Sequence, residues 1–543
     1  MKPVKKTVHP RHRGVVLIVS MIFVLVFSAL AVSMAAMAGA NAELASNHHK
    51  VGAALSAAES GLECGRYIIA DTLPHLAETS FNTVSEAEAD QAWNTLCTQV
   101  QAQPWINGQA QQTESQITSP VIQFGDVTAS FQVLFHRTGV HTVELRGIGS
   151  DGQVTRHAGI NMSITKDNEV LKYAVASRGR MWLTGDSTIY GDVFSSWDRP
   201  EISPFNMTND TTVLGTINTV LKLDQIDNQS YQMETLDENG NPIDINGNPL
   251  GTNFDERYYD PDDEIQAYHE GINYGQPEQN MAGMDISDYN TDGYLSGLTN
   301  LPSCPSELRE VEYFPHAPSD QGGYSTPRDG TPGNTWNRKL TRHVYENQTL
   351  TDVRLPDNYN ALFRNCTFEG VLYIDCYKSG SSYYNNVRFE DCTFNGTIVT
   401  DVPQVLKWQH NCLYFTGEAD FNNNSGIEEA TILAPHFNVN LGNTNPQQSD
   451  YNVLTGAIIG GIVDVRGNAQ VLGTIISMCD TTQWSSGYVT NIGATLNDGG
   501  NETTELGDVG VIDITPDPDQ MLPSGITAPI VIVPLQNTYC EGV

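Results

Sequence analysis

The chain has 543 residues, 28 Lys/Arg against 64 Asp/Glu and a formal net charge of −36. Its length leaves room for more than one domain and a large core, and its acidic balance excludes nucleic acid as a partner, because phosphate binding needs a basic surface. Its nine cysteines form no C-x-x-C pair, which excludes zinc-ribbon and thioredoxin-type chemistry.

Basic residues open the chain: Lys2, Lys5, Lys6, Arg11 and Arg13, with no acidic residue among them. Gly14 follows, and then an uncharged run of 24 residues, Val15–Ala38. As a helix this run would be about 36 Å long, enough to cross a hydrocarbon core of about 30 Å. The leading positive charge predicts that the start stays in the cytoplasm and that everything after Ala40 lies outside. Three fates compete for such a start. A secretory signal has a shorter apolar centre before a small-residue cleavage site. Ala38-Gly39-Ala40 offers the site, with Asn41 as the new terminus, but the apolar run is too long for the class. A plain uncleaved anchor is the second fate.

The third rests on a resemblance. RHRG-VVLIV resembles the class III leader of type IV pilins and type II secretion pseudopilins. The resemblance implies that prepilin peptidase cuts between Gly14 and Val15. Further on, AALSAAESGLECGRYII (Ala53–Ile69) resembles the helix continuation of PilX-type minor pilins and GspK-type pseudopilins. Leu55, Ala58, Leu62 and Ile69 recur at helical spacing. By this resemblance Val19, Phe23 and Phe27 lie on the helix that packs among neighbouring subunits. Most major pilins carry glutamate at the fifth mature position, where this chain has Val19. An unpartnered carboxylate is costly in lipid, and its absence implies a tip, initiation or low-copy role. The implied partners are other pilin or pseudopilin subunits, prepilin peptidase and the inner membrane. The chain would span that membrane once before assembly and then reach the periplasm or a surface filament.

Residues 71–118 are polar and Gln/Thr-rich, and are expected to hold a helix with loops. Three strand-like runs follow, Val127–Arg137, Val140–Ser150 and Gln153–Thr165, with turn signals at Thr138-Gly139 and Ser150-Asp151-Gly152. A long helix followed by an antiparallel meander is the pilin layout. Outside the cytoplasm disulfides can form, and Cys64 with Cys97 is the first candidate pair, since it would tie the long helix to the next element.

From about residue 170 the chain turns to Gly, Asn, Asp and short β runs, and internal repetition becomes the main signal. NALFRNCTFEGVLYID (Asn360–Asp375) and NVRFEDCTFNGTIVTD (Asn386–Asp401) match at an offset of 26 residues. Leu183–Ser195 and Val465–Ser477 share a second pattern. Such units suit a parallel β-solenoid, with apolar residues inside, Gly or Asn at corners that need positive φ, and each coil burying its edge on the next. Phe363, Phe368, Phe389 and Phe394 would stack like on like, and Cys366 and Cys392 would be buried in a ladder. The fold expected is therefore an α+β pilin-like part followed by an all-β parallel solenoid. Its parts are a leader (1–14), an assembly helix (15–70), a pilin-like region (71–166), a solenoid (167–497) with an irregular Asp/Gly/Pro-rich insertion at about 225–350, and a C-terminal cap (498–543).

Candidate chemistry is sparse. Asp288, Asn290 and Asp292 open a calcium-loop pattern with Gly293, but Thr299 stands where the bidentate glutamate belongs. Ca²⁺ is the only cofactor considered on this ground. Asn290–Gly293 also resembles the NTDG motif of polygalacturonases, although that family's Asp-Asp pair, Gly-His-Gly and Arg-x-Lys do not follow it. No P-loop, Rossmann glycine pattern, H-E-x-x-H or G-x-S-x-G occurs. The expected function is a non-enzymatic minor pilin or pseudopilin subunit that presents a solenoid to a surface glycan or protein ligand. Alternatives are a tethered β-helix carbohydrate hydrolase or lyase, and an anchored adhesin without a filament.

Overall fold

The computed structural model describes the residues from Arg13 to Gly542 except 124–127, 184, 186, 200–202, 208–209, 223–234, 237–241, 244–264, 280, 282–295, 305–308, 316–336, 377–384, 402–410, 423–429, 443–451, 467–468, 479–488, 494–510 and 518–520. The chain divides into two units, one of residues 1–76, 86–165 and 531–543, the other of 77–85 and 166–530.

The first unit is built on one helix, α1 (Arg13–Thr72), and an antiparallel sheet. The helix runs without a break because no proline and no β-branched cluster interrupts its Ala-rich second half. A second helix, α2 (Glu86–Ala102), buries Ala89, Ala92, Trp93, Leu96, Cys97 and Val100, one stripe at helical spacing, and places Glu86 and Glu88 in its first turn. The meander is β1 (Ala129–Arg137), β2 (Thr142–Asp151) and β3 (Val154–Lys166), paired β1–β2–β3. β2 alternates strictly between half-buried and buried positions, the signature of a sheet covered on one face.

The tail overturns one expectation. The described residues of the expected cap (498–543) serve elsewhere: Ile512–Thr515 is a coil strand of the second unit, and Cys540–Gly542 pairs antiparallel with Gly159–His157 of β3. Leu535 N–H adds a bond to the Asn161 carbonyl. β3 needs an edge partner, and the nearest free strand is the chain's own end. The antiparallel sheet is thus discontinuous in sequence, with most of the second unit inserted after β3.

The second unit is a parallel β-solenoid. On one of its sheets the strands stack in the order Gly271–Asn273, Thr216–Thr219, Asp192–Ser195, Tyr173–Ser177, Ile475–Ser477, Ala457–Arg466, Ala430–Gly442, Asn385–Thr400, Thr367–Ile374, Thr349–Leu355 and Thr299–Asn300. This spatial order is a circular permutation of the chain order. The chain enters mid-stack at Tyr173, winds to Gly271–Asn273 at one end, resumes at Thr299 at the other, and winds back until Ile475–Ser477 pairs with Val175–Ser177. The expected insertion at 225–350 is therefore corrected: Gly271–Asn273, Thr299–Asn300 and the start of Thr349–Leu355 are rungs of the stack, because their short β runs find open parallel edges there.

The repeats are the coils. The 26-residue offset pairs Phe363 with Phe389 and Thr367–Ile374 with Thr393–Thr400. Inside, Phe363, Phe389 and Phe415 stack with centroids 5.4 and 4.9 Å apart, and Phe368, Phe394 and Phe421 stack beside them at 5.1 and 4.8 Å. Asn347, Asn365 and Asp391 take the corner at φ of 51°, 50° and 53° on successive rungs, and Asn365 Nδ2 donates to Asn347 Oδ1 at 2.6 Å. The two distant motifs occupy the same columns two rungs apart, with one strand between them: Ser477 pairs with Ser177, and Ser177 with Ser195. Ser195 and Ser477 each donate at 2.8 Å to the carbonyl 16 residues earlier, Gly179 and Gly461.

Candidate functional site

The first half of α1 is an apolar rod. Val15, Val19, Phe23 and Phe27 are 59, 44, 57 and 64% exposed, and every large apolar side chain from Val15 to Met37 is exposed. Phe23 and Phe27, one helical turn apart, stack with centroids 6.1 Å apart. The sequence contains no charge here to make one side of the rod polar, so the whole circumference is apolar. The segment is long and apolar enough to cross a membrane, and its most apolar stretch is not buried at all.

The second half of α1 is a packing element. Ala54, Ala57, Ala58, Leu62, Ile68 and Ile69 are buried. The AAESGLE pattern divides cleanly: Ala57, Ala58 and Leu62 face inward, while Glu59 and Glu63 stay in solvent, Glu63 in an exposed ion pair with Arg66 at 2.9 Å. Small residues let the helix backbone sit directly on the sheet. A Cβ at Gly61 would lie 3.1 Å from the Gln132 carbonyl oxygen of β1, and methyls at Gly147 and Gly149 of β2 would overlap the carbonyls of Ala58 and Ala54. By sequence alone, Gly147-Ile148-Gly149 is part of the strand-like run Val140–Ser150. The available signal was glycine at alternate positions, which puts two side-chain-free sites on one sheet face.

Gly14 and Val15, the expected processing pair, lie within the first turns of α1, so the scissile bond would open the helix itself. Cys64 and Cys97 are free thiols, and the expected disulfide is not formed. Burial pushes the Cys97 thiol up to about 11, and burial with the neighbouring Glu63 raises Cys64, which disfavours the thiolate that exchange requires. Cys366 and Cys392 are buried as expected, donating to the Tyr345 and Phe363 carbonyls at 3.4 Å. Asp288, Asn290 and Asp292, with the rest of the calcium and NTDG patterns, lie outside the described residues. Among the described residues no group of three His, Cys, Asp or Glu is placed to hold a metal ion.

Residues 13–63 match the PilX N-terminal family model. Among solved structures the chain is similar to the competence-associated pilin ComZ from Thermus thermophilus, at 13% identity and a TM-score of 0.25 over 79% of this chain and 88% of that one. No curated protein matches the chain. The matched stretch covers the apolar rod and the AAESGLE turn, both of which the geometry singles out. The N-terminal region of this chain, over residues 13–63, is similar to the N-terminal region of the PilX family.

Proposed function

We propose that the chain is a minor, pilus-associated subunit, cut after Gly14, anchored by α1 in the inner membrane and then packed through the same helix among neighbouring pilin subunits. The observation that carries this reading is the contrast along one continuous helix. Residues Val15–Met37 are exposed and apolar on every side, whereas Ala54–Ile69 are seated on their own sheet. A helix surface of that kind is stable only in lipid or against other apolar helices. In a filament those helices are supplied by neighbouring subunits. The solenoid is then the outward part, binding a partner without transforming it, at the surface of a filament or in a secretion-like machine.

Replacing Val15–Ala38 with an unrelated membrane span of equal length is the test. The expected result is a chain that still reaches the membrane but is absent from sheared filaments. Normal incorporation would remove the proposal. Mass spectrometry of the mature protein separates the processing routes: Val15 as first residue supports the pilin route, Asn41 ordinary secretion, and an intact leader a simple anchor.

A further inference from the structure

One face of the coil stack carries exposed apolar groups that neither the core nor the assembly helix explains. Its parallel strands lie in the order Thr212–Val213, Ser187–Ile189, Ile512–Thr515, Ala469–Leu472 and Asn452–Thr455. Ile189, Val213, Val471 and Ile514 are fully buried in the core, so their neighbours along each strand face outward. Pairing of Ile189 with Val213 and Ile514, and of Thr515 with Leu472, sets Leu214, Tyr190, Thr515 and Leu472 on consecutive rungs. Leu214, Tyr190 and Leu472 are 42, 46 and 40% exposed, in a line about 14 Å long at about 4.8 Å per rung. Tyr268, 61% exposed, bridges to Thr212, which pairs with Thr188, so it extends the neighbouring column of this face by one rung.

A polar row runs beside the apolar one. Thr188, Asp513 and Gln470 share a register and are all half-buried. On the other side the chain turns at Gly215, Gly191 and Gly473. A methyl at Gly215 would overlap the backbone of Gly191, and one at Gly473 that of Gly456. The corner is therefore a low ledge, with the Pro516 ring packed over Gly191. Among the described strand residues of this face there is no Lys or Arg, and Asp513 is the one carboxylate.

Ledge, apolar row and polar row together describe an occupant with flat apolar faces, hydrogen-bonding edges and no charge. A sugar ring has this character, and a linear polymer of such rings can follow a straight line of rungs. A nucleic acid or anionic polysaccharide meets a chain of formal charge −36 with no Lys or Arg among the described strand residues of this face. An apolar peptide would leave the Thr188, Asp513 and Gln470 row unused. We propose that this strip binds a neutral, extended polysaccharide, with Tyr190 and Tyr268 against ring faces and Thr188, Asp513 and Gln470 holding hydroxyls. The inference rests on the reading of the solenoid as the partner-binding part.

Calorimetric titration of the full chain in detergent micelles with cellohexaose, and with mannohexaose as a second linkage, tests it. Binding of either is expected, with Tyr190→Ala and Tyr268→Ala each weakening it about three- to tenfold, the effect of one lost aromatic contact. Tyr190→Phe should keep the affinity, which separates ring stacking from a folding defect. Absence of heat with both sugars at millimolar concentration overturns the inference, as does undiminished binding by Tyr190→Ala. Self-association of the chain that Tyr190→Ala abolishes would also overturn it, by making a second copy the occupant. A chain that enters filaments but binds neither sugar overturns this inference alone. One that binds them but stays out of filaments supports the strip and removes the pilus reading.

Discussion

Gly147 of β2 meets the carbonyl of Ala58 on α1 so closely that there is no room between them for even a methyl group. The contact seats the second half of the helix directly on the sheet. Gly149 repeats the contact at Ala54, one helical turn earlier. Gly147→Ala is expected to destabilise the chain by about 1–3 kcal/mol, the usual range for overpacking a site that cannot relax, and Gly147→Val by more. Gly152, at φ 65° in the β2–β3 turn with open space around it, is the control. Gly152→Asn should change the melting temperature little, because asparagine tolerates the left-handed region. Thermal melts of the three variants check the contrast.

The solenoid core makes a different prediction. Phe389 stacks on Phe363 and Phe415 and meets Phe368 and Phe394 edge-on, with centroids 5.2–5.6 Å apart. It is almost fully buried. Phe389→Ala opens a cavity in the middle of the column and should cost about 3–5 kcal/mol. Phe389→Leu keeps much of the volume and should cost less. Denaturant titration monitored by circular dichroism measures both. Equal loss for the two variants would show that ring geometry matters more than volume.

Much of this was legible in the residues. The uncharged run after Gly14, the AAESGLE helix and the meander follow from local periodicity, and the 26-residue offset followed because Phe363 and Phe389 have to lie on adjacent coils to be buried. What was not legible depends on non-local pairing. The stack is circularly permuted because Ile475–Ser477 accepts Val175–Ser177 as its neighbour, and nothing within either segment says which partner it will choose. The tail reads as strand in any case, but only the open edge of β3 assigns Cys540–Gly542 to the first unit. Gly147 and Gly149 were visible as glycines, yet their role belongs to α1, about 90 residues away in sequence.

pH provides a third test. Burial lowers the pKa of His436 from 6.5 to about 4, so the folded chain holds it neutral. The unfolded chain takes up a proton near pH 6.5 that the folded chain refuses until about pH 4. Stability from this residue is therefore complete above pH 6.5 and is lost as pH falls towards 4, by about 1–3 kcal/mol. His436→Gln should flatten that part of the stability curve while leaving the response of the carboxylates in place. Melting temperatures of both proteins across pH 4–7 provide the comparison, and parallel curves would rule the residue out as a determinant.

The role proposed for α1 separates folding from function. Phe23 and Phe27 stack on each other, and both are more than half exposed. Phe23→Ser with Phe27→Ser should therefore leave the melting temperature of the folded part unchanged, since large losses come from buried contacts. On the proposed function, the same pair should weaken incorporation into filaments, because two aromatic side chains would be removed from the helix–helix contact it invokes. Membrane insertion should survive, as the remaining run from Val15 to Ala38 keeps its uncharged character. The discriminating measurement is the ratio of the variant in sheared filaments to that in the membrane fraction, set beside wild type. A fall in this ratio at constant melting temperature places Phe23 and Phe27 in the subunit contact. A fall in melting temperature instead would mean that the rod folds back on its own protein, and an unchanged ratio would mean that the subunit contact lies elsewhere on α1.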